Sequence, residues 1–286
     1  MMRNQRGPGT AFARGYPRPL LLGMVHLRPL PGSPRFDGDL DGVVQSASRD
    51  MKSLIIGGMD GAIIENLGDV PYYPDRVPPI TIAAMTVVAI ELMPLASARF
   101  LVGINVLRND AAASLSIATA VRAAFIRVNV HTDAAIADQG ILEGKAHETI
   151  RLRSSLNARV AVLADVAVKH ASPFHERPID DSARDAVGRG LADGILVTGP
   201  HSGAPVEQGR LIAVRRAIPG VPLLVASGVT ADSAPALARL CDGFIVGTGI
   251  KRGSDIEAPV DLRRVRRLVR AIGTVRSLSS RRSPRS

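Results

Sequence analysis

The stretch FLVGINVLRNDAAASLSIATAVRAAFIRVNV (100–130) contains one complete strand–helix–strand unit. Its two ends, 100–106 and 124–130, are short apolar runs rich in β-branched residues, which is typical of strands buried on both faces of a parallel sheet. Between them, the Ala-rich segment 110–122 has the composition of a helix. Because parallel strands are joined by helical crossovers of this kind, the stretch predicts an α/β fold.

The same alternation continues through the chain in both directions. Six further strand-like runs lie at 20–26, 60–66, 159–166, 193–199, 221–227 and 242–248. Helix-like stretches lie between and after them, at 40–57, 80–98, 143–157, 180–191, 205–218, 230–240 and 259–272. Eight strand–helix units in about 250 residues are the content of a (β/α)8 barrel, so we predict a single-domain TIM barrel. A doubly wound sheet is the alternative, but the Pro-rich HLRPLPG (26–32) after the first strand does not fit its G-x-G-x-x-G turn.

The composition excludes several functions. Only 3% of the 286 residues are aromatic, which is too few for the stacking platforms that bind polysaccharides or single-stranded nucleic acids. The single Cys rules out an intrachain disulfide and a CxxC site. No apolar run reaches the ~18–20 residues that span a bilayer, so we expect a cytoplasmic protein without an integral membrane segment.

The net charge of +10 is concentrated at the two ends of the chain. Four Arg lie in 1–19 and nine in 262–286, and neither segment contains an acidic residue. Arg-rich segments without acids are typical of disordered, solvated chain. We therefore predict a disordered extension (1–19), a barrel domain (20–273) and a disordered Arg/Ser-rich tail (274–286), with no nucleic-acid partner. Organelle targeting and a contact with a membrane surface are the alternatives for these ends.

Every predicted strand has a polar residue or Gly at its last or second-to-last position, at the edge where barrels of this type carry their chemistry. Strand ends near solvent are often polar, but so many carboxylates and carboxamides together favour a ligand pocket. The long segment 131–144 is predicted to be a binding loop. The predicted substrate-binding residues at these places are Asn66, Asn105, Arg127, Asn129, Asp138 and Gln139.

Four residues are candidates for catalysis: Asp165, Lys169, Glu65 and His26. A Lys four residues from a carboxylate can be a general acid, an electrostatic anchor or a Schiff-base amine. Asp165 could instead hold a divalent cation such as Mg²⁺, although the pair could also be a surface ion pair. The chain has no H-E-x-x-H pattern, so no transition-metal site is expected.

Small residues follow the last three predicted strands. Such residues let backbone N–H groups approach an anion, and barrels commonly bind phosphate after the seventh and eighth strands. Tight βα turns would have the same composition. The predicted phosphate-binding residues are Thr198, Gly199, Ser227, Gly228, Gly247, Thr248 and Lys251.

Several long motifs resemble the BtpA family, over about 20–272. They include MVHLRPLPGSPR (24–35), DGAIIENLGDVPYY (60–73), ADVAVKHA (164–171) and FIVGTGIKR (244–252). The resemblance implies a TIM barrel of the phosphate-binding group. The family takes its name from a cyanobacterial protein needed for photosystem I biogenesis or stability, and some members occur beside sugar-phosphate genes. One departure is Ala226-Ser227-Gly228, where GSG would be the more usual phosphate loop.

Together these observations predict an enzyme that acts on a small phosphorylated metabolite, either a sugar phosphate or a nucleotide, as a lyase, isomerase or hydrolase. A nucleoside triphosphatase is disfavoured because the chain lacks a G-x-x-x-x-G-K-[ST] loop. The alternative is a non-catalytic assembly or stability factor, as in photosystem I biogenesis. A homo-oligomer is compatible with either function.

Overall fold

The computed structural model of the chain describes residues 12, 15–166, 171–175, 177–199 and 206–280, with side chains as far as Arg276. In chain order the strands are β1 (Leu20–His26), β2 (Gly61–Glu65), β3 (Leu101–Asn105), β4 (Phe125–Val128), β5 (Ala134–Ala137), β6 (Gly140–Glu143), β7 (Ala161–Val166), β8 (Ala171–Pro173), β9 (Gly194–Val197), β10 (Leu223–Val225) and β11 (Gly243–Val246). The helices are α1 (Leu40–Gly57), α2 (Pro79–Leu92), α3 (Ala111–Val121), α4 (Ala146–Ser155), α5 (Ile179–Gly188), α6 (Gln208–Ala217), α7 (Ala234–Leu237) and α8 (Leu262–Ser280).

Eight parallel strands close into a barrel in the order β1, β2, β3, β4, β7, β9, β10 and β11, and β11 pairs with β1. These are the eight strands that the sequence predicts, so the (β/α)8 prediction is confirmed. Helix α1 begins and ends where expected because its caps are strong signals. The Asp39 carboxylate accepts a hydrogen bond from the backbone N–H of Gly42, and Gly58 adopts a left-handed conformation with φ 89° after the last turn.

The segment 131–144, predicted to be a binding loop, contains regular secondary structure. It forms a hairpin of β5 and β6, and β8 pairs with the other edge of β5. The alternating pattern of a strand is weak here because the hairpin strands are short and contain Ala and Gly. Three helices differ most from prediction. Helix α2 ends at Leu92 instead of 98, α7 has only four residues, and α8 continues to Ser280.

The apolar core of the barrel consists of two layers of side chains. The outer layer lies between the strands and the helices, and the inner layer fills the lower part of the barrel. Gly103 makes room for the largest interior side chain, because a Cβ atom at this position would lie 2.3 Å from the Phe125 ring. Alternate residues of each strand point inward. These inward residues are apolar along most of each strand, and polar ones appear at the C-terminal ends.

Both predicted disordered ends contain residues with structural contacts. Phe12 is buried, and its ring packs edge-on against Phe125 with centroids 5.3 Å apart. Arg276, near the end of α8, donates to the Pro19 carbonyl oxygen at 2.6 Å and pairs with Asp60. Phe12 and Arg276 thus have defined contacts within the predicted disordered ends. For 1–11, 13–14 and 281–286, which lie outside the described residues, disorder stays a prediction from the sequence.

We expect truncation after Gly273 to destabilise the protein, whereas truncation after Ser280 should leave the melting temperature nearly unchanged. The longer deletion removes Arg276, and hydrogen bonds to a charged group contribute about 1.5–3 kcal/mol. The substitution Arg276→Ala should reproduce most of the loss in urea denaturation. Equal stability of both truncated proteins would show that the Arg276 contacts contribute nothing.

Candidate functional site at the barrel mouth

The inward-pointing residues at the ends of five neighbouring strands form one polar layer above the apolar interior. In β1 the apolar inward residues Leu20, Leu22 and Met24 are followed by His26. The strand register places His26 beside Glu65 and Glu65 beside Asn105. Arg127 on β4 and Asp165 on β7 continue the layer around the barrel, so five of the predicted site residues lie together at the mouth.

Arg127 and Asp165 form a buried ion pair. The guanidinium Nε and Nη2 atoms donate to the two carboxylate oxygens at 3.1 and 2.8 Å. The side chains are 3% and 0% exposed. Burial lowers the pKa of Arg127, but the charge and hydrogen bonds of Asp165 outweigh it and raise the pKa overall. Asp165 therefore holds Arg127, and both of its oxygens are engaged in doing so.

His26, Glu65 and Asn105 form a second connected group. The Asn105 Nδ2 atom donates to Glu65 Oε2 at 2.6 Å, and Glu65 Oε1 lies 3.6 Å from His26 Nε2. The His26 Nδ1 atom lies 3.1 Å from the carbonyl oxygen of Ile256, which can only accept, so Nδ1 carries a hydrogen. The Nε2 atom is then the one that can share a proton with Glu65.

A cavity of 470 Å³ opens above these groups. Its lining contains two cationic side chains and two carboxylates. The lining residues are Glu65, Leu67, Tyr72, Leu107, Arg108, Arg127, Asn129, Asp138, Gln139 and Ile256. The predicted residues Asp138 and Gln139 reach the cavity because they lie at the turn between β5 and β6.

Arg108 is a cavity residue that is absent from the residues predicted from the sequence. It is 4% exposed, and burial lowers its pKa despite the opposing attraction of Asp165 and Glu65. Arg108 lies in the loop after β3 rather than within a strand. Its position in LRND, directly after a strand and before the α3 cap Asp110, is the signal available in the sequence.

Two carboxamide oxygens at the cavity have no donor. Asn129 is 2% exposed, and its Oδ1 atom has no hydrogen-bond partner. The Gln139 Oε1 atom is also buried without a partner, although its Nε2 atom donates to Asp138 at 2.5 Å. Buried acceptors without partners are costly, so a ligand with hydroxyl or amine groups would be favoured here.

A smaller pocket adjoins this cavity and shares Glu65, Arg127 and Ile256 with it. Four of the predicted phosphate-binding residues line it: Ser227, Gly228, Gly247 and Thr248. Gly228 has φ 63°, a conformation that most residues avoid. Thr198 and Gly199 are buried after β9 and are not among the lining residues of this pocket.

Two predicted site residues have other partners. The Lys251 ammonium is 1% exposed and donates to the Asp50 carboxylate on α1 at 2.9 Å, so it does not supply charge to the phosphate pocket. Asn66 uses both ends of its amide within the loops, accepting from the Leu107 N–H at 2.7 Å and donating to Asp69 at 3.0 Å. Asn66 thus positions the loop that carries Arg108. Lys169 lies outside the described residues.

A further cavity of 290 Å³ lies between the β5–β6–β8 sheet and α5. It touches Asn129 and Asp165 on one side and Arg177 on the other. Arg177 is already paired with Asp133 and Asp185, each at 2.8 Å. The cavity therefore extends the mouth sideways, and the charge of Arg177 in it is compensated within the protein.

Within the described ranges, no cluster of three or more His, Cys, Asp or Glu residues has the spacing of a metal site. Mg²⁺ thus remains a prediction from the sequence. No helix formed by the described residues combines the length and apolar character needed to cross a bilayer.

The fold and the site define a TIM-barrel protein with a charged pocket at the C-terminal mouth. The chain belongs to the BtpA family, whose model matches residues 18–274. It is 46% identical to the uncharacterised protein TK2179 of Thermococcus kodakarensis, covering 92% of this chain and 99% of that protein. It is 42% identical to the photosystem I biogenesis protein BtpA of Synechocystis, over 88% of this chain and 87% of the relative.

Comparison with solved structures agrees on the fold. Phosphoribosyl anthranilate isomerase from Thermotoga maritima superposes with a TM-score of 0.57, covering 89% of this chain and 98% of the isomerase. The sequence identity is 10%, so this likeness concerns the fold alone.

Proposed function

We propose that this protein is an enzyme that acts on a small phosphorylated metabolite bound at the C-terminal mouth of the barrel. The observation that carries the proposal is the concentration of buried charge around one cavity, with Arg108, Arg127, Asp165 and Glu65 all less than one tenth exposed. Burying charges is expensive, and a fold does not need them there. Inside such a site each charge acts more strongly on a ligand than it would in water.

The phosphate group of the ligand would bind in the smaller pocket, at the turns after β10 and β11. Gly228 and Gly247 allow a close approach to the backbone, and Ser227 and Thr248 add hydroxyl donors. Arg127 borders both pockets and would add positive charge at their junction. The phosphoribosyl group in the name of the Thermotoga isomerase agrees with this use of the fold.

The rest of the ligand would occupy the 470 Å³ cavity. Its hydroxyl or amine groups would donate to the Asn129 Oδ1 and Gln139 Oε1 atoms, which lack donors. This lining favours a sugar phosphate over a nucleotide, because Tyr72 is the sole aromatic residue among the described residues that line the cavity. The Tyr72 hydroxyl donates a hydrogen bond to the Leu67 carbonyl oxygen at 2.6 Å.

His26 and Glu65 are the proposed proton-transfer groups. Their Nε2 and Oε1 atoms are 3.6 Å apart, so a proton can pass between them when a substrate enters. Arg108 and Arg127 would stabilise negative charge that develops on the substrate. Asp165 serves as the positioning residue of Arg127. This role replaces the acid–base role that the sequence predicts for Asp165.

A non-catalytic role in assembly is the second candidate. The observation that favours it is the name of the Synechocystis relative, a photosystem I biogenesis protein. An assembly factor of this kind would bind a partner without turning over a small molecule, so turnover separates the two functions.

We expect inorganic phosphate and a panel of sugar phosphates to raise the melting temperature, and Gly228→Asp to abolish this effect. The new carboxylate would repel the ligand phosphate in the proposed pocket. At 100 times its dissociation constant a ligand stabilises a protein by about 2.7 kcal/mol, which thermal shift detects readily.

Gly220→Asp is the matched control. Gly220 also has positive φ, at 80°, and open space around its Cβ position, but it follows α6 at the opposite end of the barrel strands. This variant has a similar backbone cost and should keep the phosphate response. An equal response of both variants to phosphate would overturn the assignment of the phosphate pocket.

A further inference from the structure

Helix α2 is apolar on its exposed face as well as on its buried face. Its sequence, PITIAAMTVVAIEL, contains a single charged residue, Glu91. Met85, Val88 and Leu92 pack against the barrel. On the opposite face, Ile80, Val87 and Ile90 are 48%, 45% and 54% exposed. A helix that is apolar all round is normally buried on all sides.

The exposed apolar residues of α2 form a continuous stripe. Ile80, Ala83, Val87 and Ile90 are exposed and follow the alternating spacing of three and four residues that aligns side chains along one helix face. The neighbouring helix α1 is different, since most of its exposed ridge is polar, with Asp41, Gln45, Arg49 and Lys52. The stripe is thus a property of α2 and not of the barrel surface in general.

The two ends of the chain that lie outside the described residues offer little to cover this stripe. Residues 1–11 contribute only Met1, Met2 and Ala11 as hydrophobic residues, and residues 281–286 contribute none. These two segments therefore supply too little apolar surface to cover the stripe, which points to a second molecule as its occupant.

We propose that the α2 stripe is the interface with a second copy of this chain, with the two α2 helices packed antiparallel about a two-fold axis. Such an interface must be self-complementary, so that each residue contacts its counterpart in both directions. The stripe satisfies this condition. Ile80 would face Ile90 of the partner subunit, and the small Ala83 would face the larger Val87 of the partner subunit.

Charge complementarity selects the antiparallel arrangement. Glu91 lies at the C-terminal end of α2, and Arg76 lies just before its N-terminal end with its side chain 69% exposed. Arg76 pairs with Glu148 of its own chain through Nη2 at 3.1 Å, so a contact with Glu91 would be made by another guanidinium nitrogen. Antiparallel packing places Glu91 near the first turn of the other helix and within reach of Arg76 of the partner subunit, where a negative charge is favoured. Parallel packing would bring the two Glu91 carboxylates together.

The experiment is sedimentation velocity of the full chain over a range of concentrations. We expect the sedimentation coefficient of the wild type to correspond to twice the 30.2 kDa mass of one chain. The substitutions Val87→Arg and Ile90→Arg should each weaken dimerisation by about 30-fold or more, because they place a charge in the centre of the interface. Circular dichroism and melting temperature show whether each variant folds. The control Ile212→Arg changes a 38% exposed aliphatic residue on α6 and should remain dimeric.

The charge pair provides a second, milder test that also reports orientation. Glu91→Arg should raise the dimer dissociation constant by up to about fivefold, since exposed ion pairs contribute little. The double variant Glu91→Arg/Arg76→Glu should recover the wild-type value. The proposal would be overturned by a monomeric wild type or by a dimer that survives both α2 arginine substitutions. It would also be overturned if the chain associated through α2 with a different protein and not with itself.

Discussion

Asp165→Asn should destabilise the protein by about 3–5 kcal/mol, the loss typical when one partner of a buried ion pair is removed. Asn keeps the shape of the side chain but cannot balance the charge of Arg127, which is 3% exposed and donates to both Asp165 oxygens. Urea denaturation measures the effect as a lower transition midpoint at an unchanged slope.

An exposed Arg–Asp pair that also has two N···O contacts is the control. Arg267 donates to both oxygens of Asp232 at 2.8 and 3.1 Å, but the two side chains are 67% and 77% exposed. Asp232→Asn should therefore cost no more than about 1 kcal/mol. The double variant Arg127→Met/Asp165→Leu should recover much of the stability, because apolar residues often replace a buried ion pair without loss. A small effect of Asp165→Asn would mean that Arg127 has other sufficient partners.

The barrel fold could be predicted because its signals are local and repeated. Each strand is a short apolar run, and α1 has both an Asp cap and a terminal Gly. The hairpin β5–β6 could not be predicted in the same way. Its strands pair within a small separate sheet, and their stability depends on contact with β8 and the barrel mouth rather than on a pattern in residues 134–143.

The site could be predicted as a set of strand ends but not as a set of partners. The inward direction of His26, Glu65, Asn105 and Arg127 follows from the alternation of side chains along a strand, once the strand bounds are known. Lys251 follows a Gly-rich turn, which predicts a phosphate contact, yet its partner Asp50 lies 201 positions earlier in the chain. Such a pairing depends on how a helix packs against a loop, which no local pattern encodes.

The pairing of Asp165 with Arg127 could not be predicted for a similar reason. In the sequence, Asp165 and Arg127 are two independent polar residues at strand ends. The predicted barrel already makes β4 and β7 neighbours, but the bidentate contact depends on their register, in which Val128 pairs with Ala164. The proposed chemistry then shifts to Glu65 and His26, which are paired with each other at the same mouth.

Glu65→Gln should lower the turnover number by about 10²–10⁴, the contribution typical of one proton-transfer group. Turnover is measured on the sugar phosphate that stabilises the wild type. Gln can still accept the hydrogen bond from Asn105, but it cannot exchange a proton with His26. The variant should therefore keep the phosphate-dependent thermal shift and lose one limb of the pH–rate profile, which a purely structural role would not change.

Glu148→Gln is the control for this carboxylate-to-amide change, because Glu148 is 40% exposed and pairs with Arg76 away from the cavity. It should retain wild-type turnover. Undiminished turnover in Glu65→Gln would remove Glu65 from the mechanism. A wild-type protein that binds sugar phosphates but converts none of them would favour the assembly role instead, since the charged mouth would then serve recognition alone.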